Sequence, residues 1–304
     1  MSNWNTIHQE VGQVARDAKN PHDTIRHRYL SNFHSRTGRN VVAYYSGWLQ
    51  KTGPQFSNII GINDEDKNGF MACFHSLDWS LGLDLFIHSP GGSVAATDSI
   101  IHYIRSKFGD NIRVFVPQLS MSGGTMIAMC GREIWMGTHS NLGPIDPQYG
   151  SQPAHLVLQE FDRALKEIKA DPDKIHVWRP ILSQIPPTFI SSCENAISWS
   201  ADIATEALKS GMFASAKSAD RKIKKIVDYF SDAKMHKNHS RHIHRGECEK
   251  IGLKIKSFET KQEMQDAILN VHHAFMVTLM DTQAAKIIEN HTGIFQMKSI
   301  GARA

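Results

Sequence analysis

Little in these 304 residues points to a membrane, a nucleic acid or an oxidising compartment. The four cysteines, Cys73, Cys130, Cys193 and Cys248, are widely spaced and form no C-x-x-C pair. That argues against a disulfide framework and for free thiols in a reducing compartment. No window is apolar over the length that spans a bilayer, and the first ten residues lack the apolar core of a signal peptide. A soluble, cytoplasmic protein without a membrane span is therefore expected. The formal net charge is only +4, too small by itself to argue for nucleic acid, and none is expected as a partner. Neither glycine-rich turn spells G-x-G-x-x-G, which argues against a dinucleotide site. There is no internal repeat and no low-complexity tract.

What is present is ordinary in bulk and unusual in one stretch. A composition 41% hydrophobic and 21% charged suits one large globular domain with extensions. The unusual stretch runs from Leu83 to Gln148. Residues 83–88, Leu-Asp-Leu-Phe-Ile-His, read as an apolar strand that ends in Ser89-Pro-Gly-Gly92, with Ser93 placed to cap a helix. Thr97, Ile101, Ile104 and Phe108 then recur at helical spacing. A second strand, Asn111 to Gln118, ends in Ser120-Met-Ser-Gly-Gly124, and the apolar run Thr125 to Cys130 can start a buried helix. Two parallel strands joined by a right-handed crossover bring both turns to one edge of the sheet. Ser122 then has the setting of a nucleophile: an exposed hydroxyl at a helix start, beside free backbone N–H groups and glycines that admit a substrate backbone. Taken alone, Ser-Gly-Gly is an ordinary turn; the paired units give it weight.

These motifs, with Leu142-Gly-Pro-Ile-Asp-Pro-Gln148, resemble the Clp/crotonase-fold serine peptidases, and within them the serine dehydrogenase proteinase family. Signal peptide peptidase A and the proteolytic subunit of Clp protease are relatives of that branch. The resemblance covers roughly residues 41–255 and is densest over 83–148. It implies an α/β Clp/crotonase-like fold of repeated ββα units with helical N- and C-terminal extensions. It also implies Ser122 as the nucleophile and the amides of Gly91, Gly92 and Gly123 as the oxyanion hole. The implied activity is peptide-bond hydrolysis without a cofactor, ATP-independent in itself. The expected substrate is a peptide or unfolded protein, with self-assembly into a homo-oligomer and a possible protein partner that delivers substrate. The alternative is an inactive scaffold or regulatory subunit that kept the fold. Acyl-CoA chemistry, as in crotonases, is disfavoured by Ser122-Gly-Gly.

The base is the open question. The Clp subunit's histidine would fall in the Pro144-Ile-Asp-Pro147 loop, where there is none. His139 lies a little earlier. Lys166 and Lys169 fall at the separation at which signal peptide peptidase A carries its lysine base, but on the polar side of a strongly amphipathic helix, residues 154–170. A lysine there needs desolvation to act as a base. Asp146, in a loop stiffened by two prolines, suits a supporting role.

The remainder divides into a basic helical extension (1–40), the peptidase domain (41–257) and a C-terminal helix and tail (258–304). The cations of the first segment, among them Arg26, Arg28, Arg36 and Arg39, suit a helix packed on a neighbouring subunit better than an RNA contact, since no aromatic pattern accompanies them. Asn63 to Gly69 lacks calcium-loop spacing, and Asp64 reads as the cap of the helix that follows. His236, His239, His242 and His244 carry no carboxylate or cysteine at ligand spacing, so no metal site is expected. The resemblance allows His239 to line the site edge.

Overall fold

The computed structural model describes residues 3–149 and 152–299. Two helices open the chain, α1 (Trp4–Val14) and α2 (Pro21–Thr37). Proline starts α2, and Gly38 ends it at a φ of 65°, a left-handed conformation that suits glycine. Strand β1 (Asn40–Ser46) leads to the short α3 (Ser57–Ile60) and to α4 (Asp66–Phe74). The helix expected to be capped by Asp64 begins two residues later. Asp66 turns inward and is fully buried, so its carboxylate is taken up by tertiary partners. Next come β2 (Leu83–His88), α5 (Val94–Phe108), β3 (Ile112–Val116), β4 (Leu119–Ser120) and α6 (Gly123–Met129). Strands β5 (Glu133–Met136), β6 (Asn141–Leu142), β7 (Gln148–Tyr149) and β8 (Gln152–Pro153) follow. A helical excursion then holds α7 (Ala154–Ala170), α8 (Ile175–Leu182), α9 (Phe189–Ser210), α10 (Asp220–Ser231) and α11 (Ala233–His236). Strand β9 (Ile243–His244), α12 (Arg245–Ile251), β10 (Ile255–Ser257), α13 (Gln262–Asp281), β11 (Ala284–Asn290) and β12 (Phe295–Ser299) complete the described chain.

The main sheet has the order β10-β5-β3-β2-β1-β11-β12. The first five strands are parallel, and β11 and β12 join antiparallel. Strands β1 and β2 are buried at every position, as expected for a sheet covered on both faces. On one face Leu83, Leu85 and Ile87 meet residues of α4, α5, α6, α9 and α10. On the other, Phe86 and Phe115 pack with Phe33 of α2 and Phe275 of α13. The Phe33, Phe86 and Phe115 rings lie 4.9–5.2 Å apart, edge-on or stacked.

Both expected extensions are built into this core. The tail returns as β11, in the centre of one wing of the sheet, because Ile287 and Ile288 supply apolar side chains to both faces. Lys286 and Glu289 disguise that strand in the sequence, yet both are buried and paired. The basic N-terminal segment likewise turns its cations inward. Fully buried Arg26 bridges Glu289 and Asp23, each at 2.7 Å, and Arg39 meets buried Asp84 at 2.7 Å. The four cysteines are buried and free. Among the described residues no helix is long and apolar enough to cross a membrane.

Candidate active site

Strands β2 and β3 run side by side, so the two turns that leave their carboxyl ends meet. Ser89 and Ser120 form a parallel bridge: Ser89 N–H donates to Leu119 O at 3.2 Å, and Met121 N–H to Ser89 O at 2.9 Å. The turns then touch at Gly91, where a Cβ would stand 2.6 Å from the Ser122 Cβ. Only glycine permits that approach, and its φ of 91° adds a second reason.

Ser122 caps the short α6 at φ 50° and ψ −117°. A left-handed φ is rare for a residue with a Cβ and persists only where the surroundings over-determine it. Here they do. Thr125 Oγ1 donates into the carbonyls of Ser120 and Gly143, at 2.8 and 2.9 Å, and accepts from Gly143 N–H at 3.0 Å. Gly124 N–H closes back on Met121 O at 2.8 Å. The turn is thereby stapled to both β4 and the loop that begins at Gly143.

Ser122, Gly91, Gly92 and Gly123 line one cavity of about 310 Å³. The amide of Gly91 is occupied, donating to Ser89 Oγ at 3.1 Å. The amides of Gly92 and Gly123 donate to no protein acceptor among the described residues. Ile60, Val94, Met126 and Ile145 make the wall apolar, and among the described residues no Asp, Glu, Lys or Arg lines it.

The titratable side chain in that cavity is His239. Its Nδ1 lies 2.8 Å from Asp146 Oδ1, and Asp146 is 2% exposed. The second carboxylate oxygen accepts from Gln148 Nε2 at 3.1 Å. An ionised carboxylate only accepts, so Nδ1 carries a proton, and in the neutral tautomer this selects the lone pair is on Nε2. Nε2 has no protein partner among the described residues. A second, small sheet, β4-β6-β9, holds this pair beside the serine. Strand β6 pairs with β4 just before Ser122 and with β9 just after His239, and Asp146 follows β6. Neighbouring His236 is buried, with Nε2 at 2.6 Å from Tyr229 O, and burial lowers its pKa.

The other base candidates lie elsewhere. Lys166 and Lys169 are exposed on α7 and do not line the cavity. His139 is exposed, with its ring against Phe258 and Nδ1 at 3.8 Å from Glu259. Sequence reasoning set His239 at the rim and named no base there. Its only local signal is a histidine in a turn before a two-residue strand; its partner stands 93 positions earlier.

Comparison with known proteins places the chain in a family. A family model described as ClpP-like SDH-type serine proteinase matches residues 53–264, more than half of the chain. Two uncharacterized proteins of Methanocaldococcus jannaschii are each 32% identical to it. One aligns over 136 residues, 45% of either chain, and the other over 102 residues, 34% of this chain and 35% of the relative. The matched stretch is thus less than half the length of these curated relatives.

Proposed function

The chain belongs to the ClpP-like SDH-type serine proteinase family, and from that premise we propose that it is a serine endopeptidase working through Ser122, His239 and Asp146. The observation that carries this reading is the Asp146-bound imidazole of His239 in the same cavity as the strained Ser122 turn. His239 Nε2 takes the Ser122 proton as Oγ attacks a peptide carbonyl. The negative charge that develops on the carbonyl oxygen is met by the amides of Gly92 and Gly123. Gly91 contributes differently: its amide is held by Ser89, and its missing Cβ lets the turns close. His239 then returns the proton to the leaving amine, and a water, deprotonated in turn by His239, releases the acyl group from Ser122. Asp146 holds the imidazole in the required tautomer and stabilises it while charged.

The wall chemistry favours an uncharged, apolar side chain beside the scissile bond, since Ile60, Val94, Met126 and Ile145 offer no partner to a charge. The substrate is an extended peptide or unfolded segment that can enter the cleft by its backbone. Self-assembly and a substrate-delivering partner belong to the same proposal. The apolar side chains left exposed on α7 and α8, among them Leu165 at 56% and Val177 at 60%, support it.

The test is intact-mass measurement after treatment with a fluorophosphonate, wild type against Ser122→Ala. One adduct in the wild type that is absent from the variant is expected. A folded wild type that takes no adduct would reduce the protein to a scaffold of the same fold.

A further inference from the structure

Three described elements outside the catalytic turns converge beneath the Gly91–Gly92 turn. Lys286 of β11 is 1% exposed, and its ammonium makes three hydrogen bonds: to both carboxylate oxygens of Asp66 at 2.9 Å and to the carbonyl of Gly61 at 2.6 Å. Asp66 is itself fully buried. It also accepts from Tyr44 Oη at 2.9 Å, from Asn63 N–H at 3.0 Å and from Lys298 Nζ at 3.2 Å. A buried ammonium is retained only when its protons are satisfied. Two of its bonds go to the ion pair; the third and shortest goes to the backbone carbonyl of Gly61, a residue that lines the cavity.

That carbonyl leads to the catalytic turn. Gly61 O and Ile62 N–H belong to one peptide unit, and Ile62 N–H donates to Gly91 O at 2.8 Å. Gly91 O and Gly92 N–H belong to the next. No peptide bond in the described chain is cis, so in each unit the N–H points opposite to the C=O. The order is therefore ammonium, peptide 61–62, peptide 91–92, cavity. The contact is backed sterically, because a Cβ on Gly92 would overlap the Ile62 backbone. Ser93 N–H donates back to Ile62 O at 2.9 Å, which prevents the strap from rotating.

We propose that Lys286 is a positioning residue for the oxyanion hole: its ammonium heads a two-peptide hydrogen-bond relay that aims and polarises the Gly92 amide. Hydrogen bonds in such a chain strengthen one another, and a cation at the accepting end makes the last N–H a better donor. The catalytic consequence rests on the serine-peptidase reading; the relay itself does not.

The relay can be read without activity. With glycine labelled at 13C-carbonyl and 15N, only an amide preceded by glycine carries both labels across its peptide bond. Gly92 and Gly124 are the two such amides in the sequence, and Gly124, bonded to Met121 O, is an internal control. Burial lowers Lys286 to about 8 against the raising effect of Asp66. The other groups facing it are Asp66, Glu65, Lys298 and Tyr44, and burial holds Tyr44 well above its ordinary range. On raising pH from about 7 to about 10, the Gly92 amide nitrogen, read by carbon detection through the labelled carbonyl so that proton exchange does not matter, is expected to shift upfield with a midpoint near 8, while Gly124 stays still. The step should vanish in Lys286→Met and in Lys286→Arg, with the arginine variant remaining at the wild-type low-pH position. Fluorophosphonate labelling of Ser122 should slow about tenfold in Lys286→Met and recover in Lys286→Arg. A wild-type Gly92 amide that does not titrate, or a step that persists in Lys286→Met, overturns the relay. A wild type that shows the step yet takes no fluorophosphonate upholds the relay and overturns the peptidase reading. Should Lys286→Met fail to fold, the wild-type titration and the arginine variant still decide.

Discussion

The two halves of the site are built by different means. Ser122, Gly91, Gly92 and Gly123 come from successive strands of the parallel sheet, and every position of β1 and β2 beneath them is buried. His239 comes 117 residues after Ser122, at the end of an excursion of five helices that leaves Leu156, Leu165, Val177, Ile181 and Trp199 exposed. The first half uses backbone groups and a strained φ, which only a close-packed, over-determined scaffold can hold. The second uses one side chain, returned to the serine by the two-residue strand β9 and a carboxylate. The free amides are thus placed on the sheet, and the imidazole is hung on a segment whose outer helices present apolar surface.

Severing the halves should give the largest effect. His239→Ala is expected to lower kcat by about 10³-fold or more, and Asp146→Asn by about 10²- to 10⁴-fold. Lys166→Ala and Lys169→Ala should stay within about twofold of wild type, because an exposed lysine that does not line the cavity cannot take the proton of Ser122. Peptide hydrolysis by the four variants checks this. A lysine variant that lost activity while His239→Ala kept it would move the base to α7.

A distortion of the sheet half alone should be smaller in catalysis but visible in stability. Gly91→Ala sets a methyl 2.6 Å from the Ser122 Cβ at a φ of 91°. It is expected to cost about 2 kcal/mol of folding free energy and about 10²-fold in kcat. Denaturant titration alongside steady-state kinetics separates the two. Unchanged stability would mean that the turns are less tightly docked than the packing implies.

The smallest effect concerns how the sheet is closed at its far wing. Burial raises Glu289 from 4.5 to about 7, against the lowering effect of Arg26. Between those values the folded chain binds more protons at this site than the unfolded chain does. Its contribution to stability is therefore complete below about 4.5 and is lost as pH rises through about 7. Denaturation midpoints at a series of pH values should show this slope, and Glu289→Gln should flatten it. The slope should be absent from probes that report only on the α7–α11 excursion if the two regions unfold separately.

The site was legible in the sequence to the extent that it is local. Ser89-Pro-Gly-Gly92 and Ser122-Gly-Gly124 each follow an apolar strand, and parallel pairing of such strands brings their turns together by rule. His239 was not legible as the partner of Asp146 because that contact depends on β9 finding β6, a pairing of two residues with no periodicity to read. The strand within the tail was not legible for the opposite reason. Lys286 and Glu289 look like solvated charges, and only the partners supplied by α4 and α2 turn that run into an interior strand. The cations of α2 read as a surface for the same cause, although Arg26 is among the largest buried side chains.

What the sequence by itself determined is the alternation of strand, glycine turn and helix, and the placing of Ser122 and the Gly91–Gly92 turn at one edge of the sheet. Each follows from backbone sterics and hydrophobic spacing, which act over a few residues. What only the tertiary structure decided is which histidine shares the cavity with that serine and which lysine stands behind the Gly91–Gly92 turn. Those outcomes depend on hydrogen bonds between segments more than 90 positions apart, such as His239 to Asp146 and Lys286 to Gly61. Long-range partners are chosen by the packing of the sheet, and no local pattern encodes them.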